Sequence, residues 1–179
     1  MKQLLLITNA TGADWPLMKR KEKKGNIIMD YRIEKLKPEN YHRCYNIWDM
    51  DRHADKAKKW YNEFISGNRI IFVYIENDEY LGEGSLVLRN DDPDYTIENK
   101  RVYLSRMVVK PEYRNRGIGG KLLDYLIDYA KELDYKEMSL GVNIDNIGAR
   151  WLYEKKGFTN TIFVGEDEYG KYVKLLRIL

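Results

Sequence analysis

The stretch Val109-Lys110-Pro111-Glu112-Tyr113-Arg114-Asn115-Arg116-Gly117-Ile118-Gly119-Gly120-Lys121 decides how the chain reads. Before it, Arg101–Val109 is β-rich and closes at Lys110-Pro111. After it, Ile118, Leu122, Leu123, Leu126, Ile127, Ala130 and Leu133 form one apolar stripe at helical spacing. A strand therefore runs through a glycine-rich turn directly into an amphipathic helix. The first turn of a helix leaves backbone N–H groups unpaired and carries a positive partial charge. Glycines let that backbone approach an anion without a Cβ in the way. Arg114, Arg116 and Lys121 add positive charge, so the stretch reads as a phosphate cradle. The helix-terminus field alone contributes about 0.3–1 kcal/mol. The plainer alternatives are a helix-entry turn for the glycines and solvated surface charges for the arginines.

Two familiar phosphate loops do not fit. A Walker A loop needs Gly-x-x-x-x-Gly-Lys-Ser/Thr, but Lys121 is followed by Leu122 and position 115 is Asn. A dinucleotide fingerprint needs a third glycine where Leu122 stands after Gly117 and Gly119.

Working outward, strands are expected over 31–36, 70–76, 79–89, 101–109, 136–142, 158–164 and 171–178. Helices are expected over 38–50, 54–66, from 118 onward, and over 146–156. Pro38 suits the start of the first, where Tyr41, Cys44, Tyr45 and Trp48 have helical spacing; Gly157 suits the stop of the last. Asn77-Asp78 is a hairpin signal. The order β-α-α-β-β-β-α-β-α-β-β packs most simply as an α/β (α+β) domain around a mixed sheet.

Composition bounds the rest. At 179 residues, 44% of them apolar, the chain suits one globular domain. Cys44 is the single cysteine, and His42 and His53 are too few for a convincing zinc site, so no metal is expected. No apolar run reaches the roughly 20 residues of a membrane helix, so no membrane association is expected, and the cell interior (a cytoplasmic location) is the default. Residues 1–28 carry a net +4, leaving −1 on the remainder. A basic tail on a near-neutral domain argues against a nucleic-acid partner. Residues 1–28 read as an N-terminal extension, either a translated leader before a second start at Met29 or a flexible tail, ahead of a single domain over 29–179. The apolar run Leu4–Ile7 is too short for a signal peptide, whose core takes roughly 7–15 residues.

Arg114, Gly117 and Gly119 fit Arg-x-x-Gly-x-Gly, and Asn146, Ala149, Tyr153, Gly157 and Phe158 fit Asn-x-x-Ala-x-x-x-Tyr-x-x-x-Gly-Phe. With these two motifs in this order, the chain resembles the GCN5-related N-acetyltransferase (GNAT) superfamily. The resemblance implies a twisted, mostly antiparallel sheet of six to seven strands flanked by four helices. It implies acetyl-CoA as co-substrate, without a metal, and transfer of the acetyl group to a primary amine of a small molecule or peptide by direct attack in a ternary complex. The backbone of Met107, Val108 and Val109 would pair with the pantetheine arm. The amides of Arg114, Asn115, Arg116, Gly117, Ile118, Gly119, Gly120 and Lys121 would hold the pyrophosphate. Asn146 would contact the coenzyme, although its chemistry equally suits a helix cap. Tyr153 would protonate the departing thiolate, although it also lies on an apolar stripe with Ala149 and Leu152. A non-catalytic acetyl-CoA sensor is the alternative, and a homodimer is left open.

The chemistry asks for the same parts. An amine of pKa near 10.4 is only about one part in two thousand neutral at pH 7, so something must accept its proton. Some amino-terminal acetyltransferases of the superfamily place a glutamate base five residues before the motif Asn; that position here is Gly141. Glu83, on the strand face opposite Gly82 and Gly84, is the remaining candidate base, with an ordered water chain as the alternative. Tyr45, Trp48, Asp49, Asp51, Trp60, Tyr61 and Glu63, with Asp91, Asp92 and Asp94, are expected near the acceptor. Aromatics and carboxylates suit a cationic amine; a packed helix pair with a solvated acidic loop is the competing account.

Overall fold

A computed structural model describes residues 18–24 and 27–179. Residues 1–17, 25 and 26, and with them Leu4–Ile7, lie outside the described residues. Within the expected extension, Met18–Lys24 forms strand β1, antiparallel to β2 at Ile27–Lys35. A run of Lys, Arg and Glu has no hydrophobic alternation to announce a strand, but such charges are what an edge strand carries.

The remaining strands are β3 (Arg69–Glu76), β4 (Glu79–Val87), β5 (Arg101–Val109), β6 (Glu137–Asn143), β7 (Asn160–Asp167) and β8 (Gly170–Ile178), and the α-helices are α1 (Ala54–Ile65), α2 (Ile118–Glu132) and α3 (Ile147–Lys155). The described strands form one sheet of eight, ordered β1-β2-β3-β4-β5-β6-β8-β7, with only β5 and β6 parallel. The mixed, mostly antiparallel architecture stands as expected. Asn77 and Asp78 take φ of 51° and 60°, the left-handed pair of a tight β3–β4 hairpin turn.

The first expected α-helix is instead a 3-10 helix over Pro38–Asn46. Within it the buried Tyr41 and Cys44 stand three apart, one turn of a 3-10 helix, and Ile47 and Met50 continue that spacing beyond its end, whereas Tyr45 is 45% exposed. It is the fourth helical element beside the sheet, and a shorter 3-10 turn spans Pro111–Tyr113.

The sheet divides two cores. On β3, Ile70, Phe72 and Tyr74 join Leu122, Leu123 and Leu126 of α2. Ile71, Val73 and Ile75 face the other way, against Tyr41, Cys44 and Phe64. Helix α2 lies so close to β4 that a Cβ on Gly84 would stand 2.5 Å from Leu126 Cδ1 and 2.8 Å from Met107 Sδ.

The feature that positions the site lies between β5 and β6. They pair from Arg101↔Glu137 only to Leu104↔Leu140. Beyond that, β5 continues to Val109 along β4, and β6 continues to Asn143 along β8. A bulge at Ser105, between the pairs Ser85↔Arg106 and Leu86↔Leu104, falls where the strands separate. A wedge opens there.

Gly84→Ala is expected to cost about 1–3 kcal/mol by overpacking, and Leu126→Ala about 2–5 kcal/mol by cavity formation. The double variant should lose less than the sum, because the second change makes room for the first. Urea unfolding midpoints of the three variants check this.

Candidate active site

Helix α2 begins beside the wedge. Arg114 is extended, Asn115 takes φ of 60°, and Gly117, at the N-cap, takes φ of 83°. The left-handed conformation, rather than crowding, is what requires glycine at 117: nothing lies within 4 Å of where its Cβ would be. No side chain caps the helix. Lys121 N bonds to Gly117 O, so the amides of Ile118, Gly119 and Gly120 have no partner within the helix. Gly119 and Gly120 lean toward Leu152 of α3.

The three basic side chains of the loop have protein partners. Arg114 Nε donates to Val109 O at 3.1 Å, Arg116 Nη2 binds Glu76 at 3.1 Å, and Lys121 Nζ lies 4.0 Å from the centre of the Tyr31 ring. The backbone, rather than these side chains, is what the loop offers to an anion.

Alternation on β5 sorts its three expected backbone contacts. Lys110 N donates to Leu81 O at 2.9 Å, and Val108 stands opposite Glu83 two residues earlier. Hydrogen-bonded pairs alternate in an antiparallel ladder, so the Val108 amide and carbonyl point to β4. Met107 and Val109 therefore turn their backbone groups toward the wedge. Of the three residues expected to pair with a pantetheine arm, Val108 thus has its backbone committed to β4, and the Val109 carbonyl is taken by Arg114.

Helix α3 closes the same cleft. Asn146 Oδ1 accepts from Ala149 N at 3.2 Å, so Asn146 is the helix cap, and it remains exposed. Gly157, at φ of 84°, ends the helix, with Phe158 N bonding back to Tyr153 O. Tyr153 is buried, edge-on to Phe158 at 6.0 Å. Burial, with a smaller contribution from the Tyr103 phenol, pushes its pKa up to about 12. It is therefore a phenol, not a phenolate, throughout the physiological range.

On the opposite face of the sheet, arginines cover two of the four aromatics expected to receive an ammonium, Trp48 and Trp60, whereas Tyr45 and Tyr61 are exposed. Glu83 is buried and accepts from Arg106 Nε through Oε1, whereas its Oε2 has no hydrogen-bond partner. The Arg106 guanidinium lies 4.3 Å from the Trp48 ring and 4.7 Å from Trp60. Arg69 binds Glu63 at 2.8 Å, Ser85 at 2.5 Å and Ser105 at 3.0 Å. Asp92 and Asp94 are not a solvated acidic loop: Lys174, only 4% exposed, holds them at 2.5 and 2.9 Å. Sequence reasoning missed Arg69 and Lys174. The signal for Lys174 is a single charge inside the apolar run Tyr172–Leu176. It also missed Tyr95 and Tyr103, whose rings stack at 4.1 Å beside the wedge.

Comparison with known proteins gives the family and the same fold. The family model described as Acetyltransferase (GNAT) family matches residues 31–158. An uncharacterized N-acetyltransferase of Methanocaldococcus jannaschii is 36% identical over 146 residues, covering 74% of this chain and 62% of that protein. A spermine/spermidine N(1)-acetyltransferase of Bacillus subtilis is 38% identical over 80 residues, covering 43% of this chain and 51% of that protein. Thus these matches reach between about half and three fifths of the length of the curated relatives. A GNAT family acetyltransferase from Elizabethkingia anophelis, solved with acetyl-CoA bound, shares the fold at TM-score 0.63 and 19% identity, over 83% of this chain and 98% of that one. The chain belongs to the GNAT acetyltransferase family.

Asn146→Ala should destabilise the protein by about 1 kcal/mol through loss of the cap, and Asn146→Asp should restore most of that. Thermal unfolding of both variants is the check.

Proposed function

We propose that the chain moves an acetyl group from acetyl-CoA to a primary amine by direct attack in a ternary complex. The observation that carries this reading is the juxtaposition of the β5–β6 wedge with the uncapped start of α2. The wedge turns backbone groups of Met107 and Val109 inward, and the open space at Gly117 gives an anion access to helix amides. A long ligand with amides at one end and phosphates at the other fits both.

In this reading, the loop from Arg114 to Lys121 holds the pyrophosphate on its backbone N–H groups, as helix N-termini do. Met107 and Val109 hold the pantetheine arm in the manner of an added strand. Asn146 binds the coenzyme while capping α3. When bound, acetyl-CoA supplies the activated acyl group. A β5 amide in the wedge stabilises the negative charge that develops on the carbonyl oxygen during attack. Tyr153 donates its proton to the leaving thiolate; the phenol holds its proton at neutral pH, and burial makes it a weaker acid than an exposed tyrosine. Glu83 Oε2, left unpartnered by the Arg106 contact, is the candidate base, reached directly or through ordered water. The arginine-covered tryptophans disfavour a bare ammonium docking on their faces. The name of the Bacillus subtilis relative makes polyamines the first acceptors to try.

Coenzyme A at about 100 times its Kd should stabilise the protein by about 2.7 kcal/mol, read as a rise in melting temperature. The absence of any shift overturns the cradle. Thiol release measured against polyamines, aminoglycosides, amino acids and peptides should single out an acceptor class; stabilisation without thiol release points to a sensor instead. Tyr153→Phe should lower kcat about 10²–10⁴-fold while coenzyme affinity holds.

A further inference from the structure

Gly141 occupies the position at which some relatives of this superfamily are expected to carry a base, and here that space is filled from elsewhere. It is the first β6 residue beyond Leu140, where pairing with β5 ends, so it borders the wedge. A Cβ built on Gly141 would stand 2.5 Å from the hydroxyl oxygen of Tyr95, but at an ordinary 3.4 Å and 3.5 Å from the ring carbons Cζ and Cε1. Glycine at 141 is thus what admits this hydroxyl, rather than the ring, to the mouth of the wedge.

The loop between β4 and β5 holds Tyr95 firmly. Ser139 Oγ donates to Tyr95 O at 2.6 Å, anchoring the main chain on β6. The ring stacks on Tyr103 of β5 at 29°. Lys174 of β8 lies 4.8 Å from the ring centre while binding Asp92 and Asp94 of the same loop. Ser105 Oγ accepts from Arg69 at 3.0 Å, on the strand that carries Tyr103. The Tyr95 oxygen has lone pairs that can accept from a donor arriving in the wedge. The side chain is only half-buried, so such a donor can reach it.

We propose that the Tyr95 hydroxyl orients the acceptor, accepting an N–H of the attacking amine so that the nitrogen lone pair faces the thioester. The proposal rests on the acetyl-transfer reading and adds to it a substrate-contacting residue from the β4–β5 loop. It also gives the buried Lys174, with its partners Asp92 and Asp94, a purpose, which is to hold that loop where the hydroxyl meets the wedge.

The test is a two-residue cycle followed by thiol release, with spermidine and the peptide Ala-Ala-Ala as probe acceptors, alongside coenzyme A binding by calorimetry. Tyr95→Phe, which keeps the stacked ring, should raise the KM for the amine about tenfold or more, the loss expected when a hydrogen bond to the substrate is removed. Coenzyme A affinity and melting temperature should hold. Gly141→Ala should produce a similar loss by displacing the hydroxyl, yet cost little further in the Tyr95→Phe background, where only the ordinary ring contacts remain. An equal Gly141→Ala loss in both backgrounds, or a Tyr95→Phe variant with unchanged kinetics, overturns the proposal. So does a wild-type protein that binds coenzyme A but releases no thiol with either probe. Failure to bind coenzyme A overturns the underlying acetyl-transfer reading instead.

Discussion

The parting of β5 from β6 is the constraint on which the rest of the structure depends. Backbone N–H and C=O groups withdrawn from a ladder must find partners or remain open to solvent or ligand, because burying them unpaired costs heavily. Here β5 keeps its ladder with β4 to the end and loses the one with β6 after Leu104. Arg114 repays one of the freed groups by donating to the Val109 carbonyl. The bulge at Ser105 adds local twist at the point of separation, and α2 starts at the far end of the same strand. The wedge and the helix terminus are consequences of one chain path, which is why the open strand groups and the uncapped helix amides fall along a single line.

Internal charge compensation governs the face opposite α2. Arg106 with Glu83, Arg69 with Glu63, and Lys174 with Asp92 and Asp94 are pairs at least partly withdrawn from water. Breaking one member of such a pair strands the other, so these pairs fix geometry more than they add net stability. The aromatic rings among them are stacked on guanidinium groups. That face is therefore largely charge-compensated, not the acidic aromatic cage that residue types alone suggest.

Legibility followed the strength of the local signal. The strand Arg101–Val109, the stripe of α2, and α3 between Asn146 and Gly157 all lie where they were expected, because each combines clear periodicity with a punctuating glycine or cap. The helix at Pro38–Asn46 was legible as an element but not in its type. Tyr45 and Trp48 continue an α-helical spacing, whereas packing against β3 and β4 selected the three-residue repeat Tyr41, Cys44, Ile47 and Met50. Strand β1 was not legible at all, since its residues are almost all charged and its partner β2 defines it. The glycine turn into α2 and the place of Tyr153 on α3 could be read directly. Tyr95 could not, since its relation to Gly141 spans 46 positions and exists only through the sheet.

By itself, then, the sequence determined the path from β5 through the glycine turn into α2: the three are contiguous, so their local geometry is set by neighbours in the chain. It also determined the family, through two motifs with characteristic spacing. Only the tertiary structure decided the surroundings of the residues expected near an acceptor. Whether an aspartate is free or bound to Lys174, whether a tryptophan face is open or covered by Arg106, and what stands over Gly141 all depend on contacts between residues far apart in sequence. Local periodicity carries no record of such contacts.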